Sequence, residues 1–205
     1  MSPTSRWDPE SLRERLRDAA AEPQPWHLPG DNAQPLDASA QPTAASVLIA
    51  LLDRPRGPTI VLTTRAAHLN AHAGQISLPG GRMEVEDISA VAAALRESDE
   101  EIGLAAERVD VLGSLRAYDT ITGFRVHPVV GWVAEPPPAW RRDPAEVADV
   151  FEVPLDFVLE PANHRRDSYL RNGEVRHFFV LPFENRYIWG ATAGILVNFA
   201  RTLGG

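Results

Sequence analysis

Three glutamates, Glu97, Glu100 and Glu101, stand within five residues of one another, in a stretch free of glycine and proline from Ile88 to Ile102. Val91, Ala94, Leu95 and Ile102 recur there at helical spacing, so the segment is predicted to be a helix closed by Gly103. Positions three and four apart on a helix share a face, and the carboxylates therefore converge. Like charges at that spacing cost a helix roughly 0.2–0.5 kcal/mol per pair, and the one cation in the run is Arg96. A hard divalent cation with oxygen ligands, Mg²⁺ or Mn²⁺, would offset that repulsion. Taken alone, four acids within Glu97–Glu101 read as a solvated helix face. Their surroundings argue for chemistry. Gly80-Gly81 upstream leaves backbone amides bare for an anion, and Asp87 falls where the helix begins, as a cap or a further acid.

The elements that must position this cluster can be read outward from it. Val47–Leu52 and Thr59–Thr64 are apolar, partly β-branched runs around Arg54-Pro55-Arg56-Gly57-Pro58, a strand–turn–strand pattern. Arg65–Leu78 is polar and without period, and is predicted to be a loop, with Pro79-Gly80-Gly81 a turn. Val109–Tyr118, Arg125–Val133 and Val147–Val153 are further strands, and Pro154–Leu159 opens a helical turn. Asn172-Gly173 is a hairpin signal between two more strands, and Ala191–Leu203 is an apolar helix. Ahead of all this, Asp8-Pro9-Glu10 starts a short amphipathic helix through Leu12, Leu16 and Ala19. A proline-bearing connector, Glu22–Thr43, follows it. Residues 1–43 thus read as helix plus connector, and 44–205 as one α/β domain with a mixed sheet between helices.

Composition excludes several alternatives. The chain has 205 residues, 44% hydrophobic and 23% charged, as a globular domain does. With no cysteine it has neither disulfides nor thiolate metal sites. Ala44–Leu52 is too short to cross a bilayer, and the charged Met1–Arg17 lacks the apolar stretch of a signal peptide, so a cytoplasmic location is the expectation and no membrane partner. A net charge of −8 without a basic stripe argues against nucleic acid. It also means that a phosphorylated ligand needs placed arginines or a divalent cation. Assembly is left open, with a homodimer as one option.

Gly81, Asp87, Arg96-Glu97, Glu100-Glu101 and Gly103-Leu104 resemble the Nudix box, a glycine–loop–helix element that binds catalytic Mg²⁺. Three departures stand out: Asp87 replaces a glutamate, one extra residue separates it from Arg96, and Ser98 takes an apolar position. The longer spacing is similar to that of the coenzyme A pyrophosphatase branch. Val61–Ala66, Gly74-Gln75 and Pro79-Gly80-Gly81 resemble that branch's added signature, with Ala66, Asn70 and Leu78 in place of serine, arginine and phenylalanine. Ile188-Trp189-Gly190-Ala191-Thr192 resembles the entry to its last helix.

The resemblance implies a Nudix-like α/β/α sandwich and a metal-dependent pyrophosphohydrolase that splits coenzyme A into 3′,5′-ADP and 4′-phosphopantetheine. ADP-ribose or a dinucleotide is the alternative substrate, and a nucleotide-sensing domain without turnover the alternative role. It implies Glu97 and Glu101 as primary metal ligands, with Glu100 completing the site and Arg96 orienting the glutamates. Arg65, Gln75, Gly80, Gly81 and Arg82 are then the candidates for contact with substrate phosphates. The general base stays open between a helix glutamate, Glu146 and Glu152. His68 and His72 have the i, i+4 spacing of a zinc pair but lack the adjoining glutamate, and read as loop packing or substrate contact. His127, His164 and His177 are expected to be structural, and Phe178, Phe179 and Trp189 to belong to the core, with stacking of adenine on an aromatic near the site as the alternative.

Overall fold

The computed structural model describes residues 7–21, 41–68, 74–171 and 173–204. Most of the connector, together with Asn70, His72 and Asn172, lies outside the described residues.

One strand organises the molecule. β1 (Thr43–Leu52) runs parallel to β7 (Phe124–Val133) over its full length, Thr43 beside Phe124 and Leu52 beside Val133. Its other edge is divided between two antiparallel partners. β4 (Gly80–Arg82) takes Ala45–Val47 and β2 (Thr59–Arg65) takes Leu51 and Leu52. β2 then continues between β3 (Ile76–Ser77) and β8 (Val147–Pro154), while β7 carries β5 (Asp110–Ser114) and β6 (Tyr118–Asp119). The result is an eight-stranded mixed sheet. A separate antiparallel sheet of β9 (Arg165–Arg171), β10 (Glu174–Phe183) and β11 (Arg186–Trp189) stands beside it.

The unbroken apolar run of β1 is explained by burial on both faces. Leu48, Ala50 and Leu52 point to one side and join Val61, Val129 and Val133 against Ala94 and Ile102 of α2 (Ala90–Ile102) and Leu104 just beyond it. Ile49 and Leu51 point to the other side, into a larger core. Leu12 and Leu16 of α1 (Pro9–Ala21), Leu155 and Val158 of α3 (Leu155–Leu159), and Ile195, Leu196 and Phe199 of α4 (Gly190–Thr202) meet there. Helices therefore cover both faces of a mixed sheet, the expected class.

Helix α1 is fastened to the body at three points: Trp7 Nε1 donates to Asp156 at 3.1 Å, Arg13 pairs with Asp110 at 2.9 Å, and Arg15 donates to the Leu203 carbonyl at 2.7 Å.

Several local expectations need correction. Pro79-Gly80-Gly81 is not a turn, because Gly80 and Gly81 enter strand β4 opposite Val47 and Ser46. The expected loop 65–78 holds the short strand β3. The expected strand Val109–Tyr118 breaks after Ser114 into β5 and β6. The charged helix α2 spans Ala90–Ile102, so Ile88 is outside it and 94% exposed.

Candidate active site

Helix α2 is 13 residues long and capped at both ends. Ser89 caps its N-terminus by accepting from the Ala92 amide at 3.1 Å. Asp87 does not cap it; its carboxylate accepts from the Glu84 amide at 2.7 Å and from Arg96. At the other end Gly103 takes the left-handed conformation, φ 70°, and its amide reaches the Asp99 carbonyl. The buried stripe of α2 is Ala93, Ala94, Ser98, Glu101 and Ile102. Ser98 fits this stripe because its hydroxyl donates back to the Ala94 carbonyl at 2.7 Å. The anomaly in the stripe is Glu101, a carboxylate only 3% exposed.

The two glycines of β4 explain how Glu101 and Glu97 are held. Gly80 stands at φ 149°, and a Cβ there would lie 2.6 Å from Val47 Cα, so only glycine lets β4 approach β1 this closely. That approach aims the Gly80 amide at Glu101 Oε2, 3.1 Å away. A Cβ on Gly81 would lie 2.6 Å from the Glu97 carboxylate, which occupies the missing side chain's space. The glycine pair therefore cradles carboxylates, and the Gly80 amide is already taken by Glu101.

Arg96 is the hinge of the charges. Its guanidinium donates to Asp87 at 2.9 and 3.1 Å, to Glu97 at 3.0 Å, to Glu100 at 2.9 Å and to the Arg82 carbonyl at 3.2 Å. Hydrogen bonding to Arg96 holds the Asp87 carboxyl below its usual range. Glu97 is shifted upward, chiefly by burial, with Arg96 opposing. Glu101 rises further, to about 7, because burial outweighs the Gly80 amide and the attraction of Arg65. Arg65 lies 3.9 Å from Glu101, carried there from the end of β2 by a bulge between Thr64 and Arg65.

These groups line one cleft of about 640 Å³, between the edge of the large sheet and the second sheet. Arg65, Gln75, Gly80, Gly81, Arg82, Arg96, Glu97 and Glu100 all border it. Glu101 stands behind them, buried. The Arg82 guanidinium rests over the Phe124 ring, 5.4 Å from its centre.

The two later acids separate cleanly. Glu146 borders the cleft, and its charge pushes Glu97 and Glu101 up. Glu152 is bound by Arg54 at 2.5 and 3.0 Å and by Thr59 at 2.7 Å, and hydrogen bonding to these partners lowers it against burial. Glu152 does not border the cleft.

Oxygen donors from Glu97 and Glu101, with Glu146 bordering the same cleft, suit a hard divalent cation. Among the described residues no three His, Asp or Glu side chains already converge as a finished cation cage. Arg96 instead holds one oxygen each of Glu97 and Glu100, the latter side chain 59% exposed. Loading a cation would have to loosen these contacts.

Some aromatic and histidine expectations change. Phe179 is core at 4% exposure, but Phe178 and the 37%-exposed Trp189 face the cleft, together with His177. His164 is structural, its Nε2 2.6 Å from the Val158 carbonyl. Tyr118, Phe124, Tyr169 and Arg176 also line the cleft and carried no local signal, since only the tertiary fold brings them there. No described helix is long and apolar enough to cross a membrane.

A family model described as the NUDIX domain matches residues 42–173. Two curated relatives, each named Uncharacterized Nudix hydrolase NudL, from Salmonella paratyphi B and Salmonella newport, are 41% identical over 160 residues. The match covers 78% of this chain and 82% of each relative. Among solved structures, the MutT protein from Methanosarcina mazei Go1 superposes with a TM-score of 0.52 at 17% identity, over 81% of this chain and 96% of that one. At that identity the superposition speaks for the fold alone.

Proposed function

The chain belongs to the Nudix hydrolase family, and from that premise we propose that it cleaves the diphosphate bridge of coenzyme A or its derivatives in a divalent-cation-dependent reaction. The observation that carries the reading is the meeting of two signatures in one cleft. Arg65 and Gln75, from the segment resembling the coenzyme A branch, border the same space as Glu97, and Arg65 reaches Glu101 behind it.

Two of the departures from that branch weigh little. Ala66 and Leu78 are 3% and 2% exposed and do not border the cleft, so they are core substitutions that change packing rather than substrate contacts. Asn70 lies outside the described residues.

In this reading Glu97 and Glu101 would hold the cation, and Glu100, now paired with Arg96, would be the further carboxylate able to join them. Held there, Mg²⁺ or Mn²⁺ would supply neutralising charge for the diphosphate oxygens and lower the pKa of water. Arg96 keeps the glutamates in place through charge-assisted bonds. Arg65 and Arg82 offer planar donor forks to phosphate oxygens, with Gln75 beside them. Glu146, an acid of the cleft that Arg96 does not engage, accepts the proton of the attacking water. The products are 3′,5′-ADP and 4′-phosphopantetheine.

The test is a substrate panel with Mg²⁺ or Mn²⁺, with and without chelator, and products identified by mass. Coenzyme A and acetyl-coenzyme A are compared with ADP-ribose and diadenosine polyphosphates. Cation-dependent release of 3′,5′-ADP from coenzyme A is the expected result. Cleavage of another nucleotide alone would overturn the substrate and keep the chemistry. Nucleotide binding with no turnover would replace hydrolysis by sensing.

A further inference from the structure

The second sheet presents one face to the cleft, and that face has a composition unlike the carboxylate end. In the β9–β10–β11 register Arg176 lies opposite Tyr169 and Val180 opposite Trp189. Side chains alternate along a strand, so Tyr169, Arg176, Phe178 and Trp189 share a face, and all four border the cleft, which His177 of the opposite face also reaches. The rings are in mutual contact: Tyr169 to Phe178 at 5.7 Å and Phe178 to Trp189 at 5.5 Å between centres, the latter pair edge to face. Trp189 nonetheless stays 37% exposed. Arg176, Phe178 and Trp189 lie beyond residue 173, where the match to the family model ends.

A row of rings with a guanidinium set among them complements a flat π-system that carries an anion. The carboxylate end of the cleft has the groups for a diphosphate and its cation. The ring face is therefore left for one of the two moieties that the diphosphate joins. A pantetheine arm is a flexible chain of amides and methylenes, with neither a ring to stack nor a charge for Arg176. A nucleoside bearing its own phosphate has both.

We infer that this face is the nucleoside wall of the site: Trp189 and Phe178 stack the purine, and Arg176 binds a phosphate carried on the ribose apart from the diphosphate. The inference rests on the coenzyme A reading for the substrate and adds the residues that select its nucleotide half. Because the wall reads a ribose phosphate, it also orders the substrates: a 3′-phosphorylated nucleotide is preferred over its unphosphorylated counterpart.

Calorimetry in the presence of chelator separates this step from turnover, with 3′,5′-ADP, 5′-AMP and 4′-phosphopantetheine as probes. Wild type is expected to bind 3′,5′-ADP more tightly than 5′-AMP. Arg176→Ala should erase that difference while leaving 5′-AMP binding in place. Trp189→Ala should weaken both nucleotides by roughly 10- to 100-fold, the range of a lost base–aromatic stack, and Trp189→Phe should restore most of it. Unchanged melting temperatures show that the variants are folded, and Phe178→Ala serves if Trp189→Ala is not. Equal binding of 3′,5′-ADP and 5′-AMP by wild type, or equal losses for both in Arg176→Ala, would overturn the phosphate assignment. Phosphopantetheine binding that falls in Trp189→Ala while nucleotide binding holds would overturn the wall itself. Steady-state kinetics keep the two readings apart. If coenzyme A is cleaved and Trp189→Ala leaves KM unmoved, the wall fails and the substrate stands. If coenzyme A is not cleaved yet 3′,5′-ADP binding depends on Trp189 and Arg176, the wall stands and the substrate fails.

Discussion

Replacing Glu101 by glutamine should make the cation-free protein more stable at pH 8. Glu101 is 3% exposed, and burial lifts its carboxyl from an ordinary 4.5 to about 7. At 1.36 kcal/mol per tenfold change in proton affinity, that shift corresponds to about 3 kcal/mol. The folded protein binds this proton more tightly than the unfolded chain does. The favourable contribution is therefore complete below about pH 4.5, declines as pH rises, and is gone above about pH 7. A glutamine has no charge to desolvate, and its amide oxygen can still accept from the Gly80 amide. At pH 8 in chelator, Glu101→Gln should exceed wild type by about 1–3 kcal/mol, or roughly 3–10 °C in melting temperature for a domain of this size. At pH 5 the gap should shrink toward zero. Added Mn²⁺ should reverse the order at pH 8, because only the wild-type carboxylate gains from a cation. Thermal unfolding at both pH values, with chelator and with Mn²⁺, reads all of this. A Glu101→Gln protein less stable than wild type at pH 8 in chelator, or a gap independent of pH, would refute the reasoning.

Other outcomes follow from the same site. Glu97→Gln should fold normally yet lose more than about 100-fold in kcat, exceeding the 10- to 100-fold typical of groups that only support a metal ligand; steady-state assays with circular dichroism decide it, and near-normal turnover would remove Glu97 from the cation site. Glu146→Gln should lower kcat by on the order of 100-fold at unchanged melting temperature. Glu152→Gln, cut off from the cleft by Arg54 and Thr59, should instead cost about 1 kcal/mol of stability and spare kcat; the reverse pattern would exchange their roles. Gly81→Ala drives a methyl into the Glu97 carboxylate, so activity should fall well before the melting temperature does, and an alanine variant with full activity would show that Glu97 need not sit there.

The carboxylate helix was legible because its information is local. The spacing of Glu97, Glu100 and Glu101, the cation at Arg96 and the stop at Gly103 all fall within one helix. The same holds for β1 and β7, whose apolar runs mark strands buried on both faces. What escaped was set by distant partners. Gly80 and Gly81 look like a turn beside Pro79, yet they form a strand because Val47 and Ser46 offer an edge, where a side chain on Gly80 would strike β1 and one on Gly81 would strike Glu97. Asp87 looks like a cap, yet Ser89 caps α2 and leaves Asp87 to Arg96, nine residues on. Glu146 and Glu152 are indistinguishable along the chain, and only the position of Arg54 separates them. Phe178 and Phe179 are adjacent aromatics whose fates diverge because successive residues of β10 face opposite sides.

The parallel ladder between β1 and β7 sets the order in which this protein can assemble. Each residue of β1 pairs with one 81 positions further on, Thr43 with Phe124 and Leu52 with Val133. Parallel pairing over such a separation must close a long loop before its contacts reward the closure, which makes it a slow step. Strand β4 and helix α2 both lie inside that loop. During synthesis α2 therefore emerges with Glu101 and its neighbours complete but without the sheet that buries them. Until residue 133 has left the ribosome the ladder cannot close, and α2 lacks the β7 strand it packs against. The burial that raises Glu97 and Glu101 is completed late, after the closure of the ladder.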